Sequence, residues 1–174
     1  DGDPGGRPGK IGIGDPIRSA RDVDRLRPVD PRDAPGLQPT LEALTILRAE
    51  LKGPAVVGVA AAPFSLAAYA VEGEAAGSFS KTRALMTSDS AAWNALCALV
   101  GTMVADYLVA QAEAGAQAIV LFDSWSQALT AEEYAAFPLP HSRAVCQRVA
   151  ATGVPLVHYG TGRAVLEGLA AAGG

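Results

Sequence analysis

At 174 residues the chain is of single-domain size. It is 49% hydrophobic and 18% charged, so it has ample apolar surface to bury, which excludes disorder over its whole length. The formal net charge of −4 argues against a general nucleic-acid surface, and two cysteines, Cys97 and Cys146, are too few for a disulfide framework.

Residues 1–36 are rich in Gly, Pro, Asp and Arg and read as a solvated arm, with a possible hairpin around Ile11–Ile13 and a short charged helix over Ser19–Leu26. The main body is expected over 37–174. Leu41, Leu44, Leu47 and Leu51 form an apolar stripe that predicts a helix from Thr40, its expected N-cap, to Lys52, with Gly53-Pro54 as the stop. Ala55–Ala61 is a short apolar run that reads as a buried parallel strand. Pro63 opens the next helix, which carries Leu66 and Tyr69 and ends near Glu72-Gly73. A loop over 74–80 and a short helix through Arg83–Met86 follow.

The longest helix is predicted from a cap at Asp89 or Ser90 to about Ala114, with Trp93, Leu96, Cys97, Val100, Met103, Val104 and Tyr107 on its apolar face. Gln117–Phe122 is the second strand. A polar and aromatic loop over 123–129 leads to Thr130 and Glu133, a T-x-x-E capping box. Pro138 and Pro140 are expected to break that helix before another from His141 to Ala150. Val154–Tyr159 is the third strand. Gly160-Thr161-Gly162 turns the chain into a last helix, Arg163–Ala171.

Strands alternating with helices at this length define an α/β chain with parallel strands. The apolar strands are expected to be covered on both faces. Three strands cannot close a barrel, so two edges are expected to stay unpaired and to drive association. No segment has the basic and apolar regions of a signal peptide. The longest uncharged apolar run, 91–105, is too short to span a bilayer, so a protein of the cytoplasm is expected. The chain opens without Met and stops soon after its last helix, which leads to the expectation of a piece of a longer protein.

In such a layout chemistry sits at the carboxyl ends of strands. Three stretches meet that condition: 61–69, 122–127 and 158–163. Each has a plain alternative. Tyr69 could be a core residue with its hydroxyl at the rim. Asp123 and Ser124 could cap a turn. Gly160-x-Gly162 could cradle an anion or simply turn the chain. His141, His158 and the cysteines show no metal-ligand spacing, and no G-x-S-x-G, Walker A or G-x-G-x-x-G string is present.

Longer strings carry a resemblance. Ala62-Pro63-Phe64-Ser65-Leu66-Ala67-Ala68-Tyr69-Ala70-Val71-Glu72-Gly73 resembles the A-P-W/F-T-L-x-x-Y-x-V/I-E-G segment of uroporphyrinogen decarboxylases. Ala114-Gly115-Ala116-Gln117-Ala118, followed by Leu121-Phe122-Asp123-Ser124-Trp125, is similar to that family's A-G-A-Q/D-A and F-D/E-S/T segments. Arg18, Asp22 and Leu26 match a short R-x-x-x-D-x-x-x-L region upstream. The departures are Phe64 where Trp is frequent, Ser65 where Thr is usual, and Glu74-Ala75-Ala76 in place of a stretch richer in Gly and Ser.

The resemblance implies a partial TIM barrel, its strands standing at about positions three to five of eight. It implies decarboxylation of the four acetates of uroporphyrinogen III to give coproporphyrinogen III in heme biosynthesis. No metal or organic cofactor and no nucleic-acid or membrane partner is implied, and a homodimer is. Tyr69 matches a hydroxyl that meets a substrate carboxylate, Ser124 a second such donor, and Phe122 an aromatic residue on the pocket floor. No catalytic residue is assigned in this segment, because the family's acidic residue, N-terminal arginines and late histidine have no counterpart here; this chain alone is expected to be inactive. Arg163 stands near the third strand's end, where it could meet a carboxylate. Two other readings remain open: a non-catalytic truncated homologue, and a related cobalamin-linked methyltransferase, which would bind zinc through His and Cys.

Overall fold

The computed structural model describes residues 13–74 and 79–174. Most of the hairpin expected around Ile11–Ile13, and residues 75–78 of the expected loop, lie outside them. The elements in chain order are α1 (Ala20–Asp24), α2 (Gln38–Glu50), β1 (Val57–Ala61), α3 (Pro63–Glu72), α4 (Ser80–Ser88), α5 (Ser90–Glu113), β2 (Ala118–Asp123), α6 (Ala131–Ala136), α7 (Pro138–Ala150), β3 (Leu156–Gly160) and α8 (Leu166–Ala172). Short 3₁₀ turns at Ser126–Ala128 and Arg163–Val165 follow β2 and β3.

The strands form one parallel sheet in the order β1-β2-β3. Val59 pairs with Val120 and Val120 with Val157; one pleat further on, Ala61 pairs with Phe122 and Phe122 with Tyr159. Strand order follows chain order with no reversal. Right-handed crossovers therefore place the connecting helices on one side of the sheet, whereas a doubly wound sheet needs a reversal. This corrects the expectation that both faces are covered. Ile119, Leu121 and Asp123 point to the helices and are fully buried. On the other face Val57, Val59, Val157 and Tyr159 remain 44–53% exposed. An apolar strand reveals that it suits burial, not which neighbours cover it.

The covered face packs mainly on α5 and α7. Leu108, Val104, Val145 and Val149 meet Ile119 and Leu121 in one apolar cluster. A second cluster gathers Phe64, Val71, Met86, Trp93, Leu96 and Tyr134 between the helices. By length and composition α5 could cross a membrane, with a mean hydropathy of 1.6 over its most apolar window. Here it is the central helix of the core, apolar on several sides because it is packed on several sides. Asp89 caps it by accepting from Ala92 N–H at 3.0 Å. Near its other end, the buried Gln111 amide accepts from Val59 N–H at 2.8 Å and donates to Val59 C=O at 2.9 Å. It thus takes a strand-like pair of bonds on β1. A Cβ on Gly58 would lie 2.8 Å from that Gln111 oxygen and 2.7 Å from the Ile119 Cδ1, so a side chain there would have to displace the Gln111 amide and the tip of Ile119.

Several boundaries differ from the sequence reading. α2 starts at Gln38 on Leu37, not on a Thr40 cap, and Leu44 is the buried member of its stripe while Leu47 and Leu51 stay exposed. The break expected at Pro138 is present, since α6 ends at Ala136, but α7 starts at Pro138 and not at His141, with both prolines in its first turn, where a missing N–H costs nothing. The capping box at Thr130 and Glu133 forms as expected. Residues 13–36 are not wholly solvated, since Ile17 and Val23 are buried in the core between the helices.

Candidate active site

The segment that opens with Pro63 shows what each of its residue types does. Pro63 stands in the first turn of α3. Gly73 ends the helix at φ +86°, a left-handed cap that L side chains resist. Glu72 is buried, and its Oε1 accepts from Thr82 N–H at 2.9 Å and Thr82 Oγ1 at 2.8 Å. It thereby supplies, from α3, the acceptor that the first turn of α4 needs. Phe79, the residue before α4, has no such side-chain oxygen and sits at φ +51°. A phenylalanine in that region is strained by roughly 1–2 kcal/mol. Its ring leans on Trp125 at 5.2 Å between centroids.

Tyr69, one turn before Glu72, is half-buried and stacks on Trp125 with centroids 6.0 Å apart. α3 and the loop after β2 are therefore in direct contact. A polar link lies deeper. Ser65 Oγ donates to Asp123 Oδ1 at 2.9 Å and accepts from Trp125 N–H at 3.4 Å. Asp123 was expected in the loop; it is instead the last residue of β2, fully buried on the helix side. Burial raises its carboxyl to about 6, opposed in part by the Ser65 hydroxyl and by Tyr134 from α6.

The loop after β2 is tied in turn to β3. Thr161 Oγ1 donates to Ser124 C=O at 2.9 Å. Ser126 Oγ lies 2.8 Å from Asp123 C=O and accepts from Thr161 N–H at 3.2 Å. A Cβ on Gly160 would come within 2.9 Å of that Ser126 oxygen, and one on Gly162 within 2.8 Å of the Gln127 backbone. The two glycines thus admit the neighbouring loop. This is the plain turn role weighed for them above.

Of the residues singled out in the sequence, Tyr69 and Ser124 stand on the two segments joined through Trp125. Ser124 is exposed. Phe122 points to the open face of the sheet, at its carboxyl end, with its ring edge-on to Tyr159 at 5.5 Å. Arg163 opens the 3₁₀ turn after β3 and is exposed. The hydroxyl and aromatic groups therefore gather at one end of the sheet, the end where α/β folds bind ligands. Sequence reading missed Ser65 and Asp123 as a pair. Their 58-residue separation left no local signal. Among the described residues no group of three or more His, Cys, Asp or Glu side chains could hold a metal ion.

Three parallel strands wound in one direction, with helices on one side and polar residues at the carboxyl ends, define an α/β protein. The family model "Uroporphyrinogen decarboxylase (URO-D)" matches residues 8–174, and the chain belongs to that family. Curated relatives named uroporphyrinogen decarboxylase include one from Mycobacterium marinum, 39% identical over 156 residues, which covers 90% of this chain and 43% of that protein. One from Mycobacterium tuberculosis is 41% identical over the same length, and one from Mycobacterium leprae 38%. The chain spans under half the length of these relatives. Among solved structures a methyltransferase from Methanosarcina mazei superposes with a TM-score of 0.74 over 95% of this chain and 46% of its own, at 19% identity. That likeness shows a shared fold and carries no activity with it.

Proposed function

We propose that this chain is the middle wall of a uroporphyrinogen decarboxylase, an eight-stranded barrel in which β1, β2 and β3 take about the third to fifth positions. One observation carries the reading. The singly wound sheet leaves one face bare, and Phe122, Tyr69 and Ser124 gather at the carboxyl end of that sheet. In a closed barrel the bare face, with Val59, Val120 and Val157 in register, is the filled interior. The carboxyl end is then the pocket floor. Along the free edge of β1 an apolar groove with Leu66, Met103 and Tyr107 fits a preceding strand and helix.

The substrate in this reading is uroporphyrinogen III, a ring with many carboxylates. Each acetate loses carbon dioxide and takes up a proton in its place, four times over, to give coproporphyrinogen III. Tyr69 and Ser124 donate hydroxyl hydrogen bonds that orient substrate carboxylates. Such bonds to a charged acceptor are about twice as strong as neutral ones. Phe122 presents its ring to the macrocycle. No metal or organic cofactor enters. The protein acts in the cytoplasm as a homodimer.

The test is a chimera. The 156-residue match in the Mycobacterium tuberculosis relative is replaced by the corresponding stretch of this chain. The product should form coproporphyrinogen from uroporphyrinogen III, followed by chromatography after oxidation. A chimera that melts cooperatively and forms none would overturn the reading.

A further inference from the structure

We propose that Asp123 is a positioning residue of this site: through Ser65 it locks the Ser124-Trp125 corner against α3 and so sets where Tyr69 and Ser124 present their hydroxyls. The role of those hydroxyls rests on the function proposed above; the lock itself rests on geometry.

A serine hydroxyl has one hydrogen to give and two lone pairs to offer. At Ser65 the hydrogen goes to Asp123 Oδ1 at 2.9 Å. The lone pairs are thereby turned toward the N–H of Trp125, which approaches at 3.4 Å. Without the carboxylate the hydroxyl can rotate toward another acceptor, and the Trp125 N–H loses an oriented partner. Trp125 in turn carries the face on which Tyr69 stacks, and Phe79 braces it from the other segment. The order runs from a fully buried carboxylate to a buried hydroxyl, then to a half-buried indole and the tyrosine. The anchor lies on the helix side of the sheet and its effect at the carboxyl end.

Asp123 Oδ2 makes no well-aligned hydrogen bond, and neither does the Tyr134 hydroxyl that faces the same carboxylate. Burial disfavours the charged carboxyl, and the Ser65 and Tyr134 hydroxyls offset part of that cost. An apolar residue here would leave the buried Ser65 hydroxyl without its acceptor. Cys97 of α5 and Tyr134 of α6 are the titratable neighbours, and burial raises both to where they stay protonated.

The test uses the 174-residue chain with Trp93→Phe, which leaves Trp125 as the single reporter among its two tryptophans. Iodide quenching of Trp125 and the melting temperature are read on the same samples. Ser65→Ala should raise the quenching constant about twofold, the scale of freeing a half-buried loop from a local tie. Ser65→Thr keeps the hydroxyl and should restore the parent value. Asp123→Asn keeps an acceptor and should quench like the parent, while Asp123→Leu should behave like Ser65→Ala. If Asp123→Leu does not fold, the other three decide. Unchanged quenching in Ser65→Ala, or Asp123→Asn as exposed as Ser65→Ala, overturns the lock. No substrate is used, so this result stands apart from the outcome of the decarboxylase assay.

Discussion

The two faces of the sheet have opposite fates, although both are largely apolar. On β2, Ile119 and Leu121 are fully buried under α5 and α7, whereas their neighbours Val120 and Phe122 stay half-exposed. The covered face is the chain's own core. The open face carries Val57, Val59, Val157 and Tyr159 and is left uncovered by the described residues; the chain spans 43% of a curated relative. The chain's own core and its uncovered face are therefore separated by a single pleat. Asp123 ends β2 on the covered side, next to the loop that carries Ser124 and Trp125.

The sharpest contrast is in truncation of the covered face. Leu121→Ala should cost about 3 kcal/mol, within the 2–5 of buried large-to-small changes, as a fall in the urea midpoint. A loss no larger than that of an open-face variant would erase the distinction. Acidity gives a second contrast, between two titrating groups on the covered side. Burial raises Asp123 to about 6, so the folded state binds its proton more readily than the unfolded chain. Asp123 therefore adds stability as pH falls from 6 toward 4. Burial pushes His158 down to about 4, so the unfolded chain is protonated first and stability is lost as pH falls from 6.5 to 4. The two oppose each other over one window. In Asp123→Asn the melting temperature should drop more steeply with acid than in the parent; in His158→Gln it should rise. Parallel curves for all three would remove both groups from the account.

In the active chimera, Tyr69→Phe and Ser65→Ala should each lower kcat/KM by about tenfold, inside the range that small misplacements of a binding group cost. A loss in Tyr69→Phe alone would separate the hydroxyl from the lock. The smallest effect belongs to the open face. Val157→Thr should shift the urea midpoint of this chain by no more than about 0.5 kcal/mol, as exposed sites do.

Much of this was legible in the residues. Alternation of strands and helices, the capping box at Thr130, and the segment around Tyr69 all act within a few positions, where local chemistry leaves a mark. The ends of β2 and β3 were not, because whether Asp123 or Gly160 continues a ladder depends on the partner strand. The one-sided cover of the sheet was missed because strand order, not strand composition, decides which side the helices take. The links from Gln111 to Val59 and from Glu72 to Thr82 were invisible for a simpler reason. Each is a side chain reaching the backbone of another element, and a lone Gln or Glu in a helix reads as surface.

The most direct test of the central claim is a crystal structure of the chimera with uroporphyrin bound. The Tyr69 and Ser124 hydroxyls should lie within hydrogen-bond distance of the ligand's carboxylates, with the Phe122 ring against the macrocycle. A ligand seated on the helix side of the sheet, with neither hydroxyl touching it, would contradict that claim.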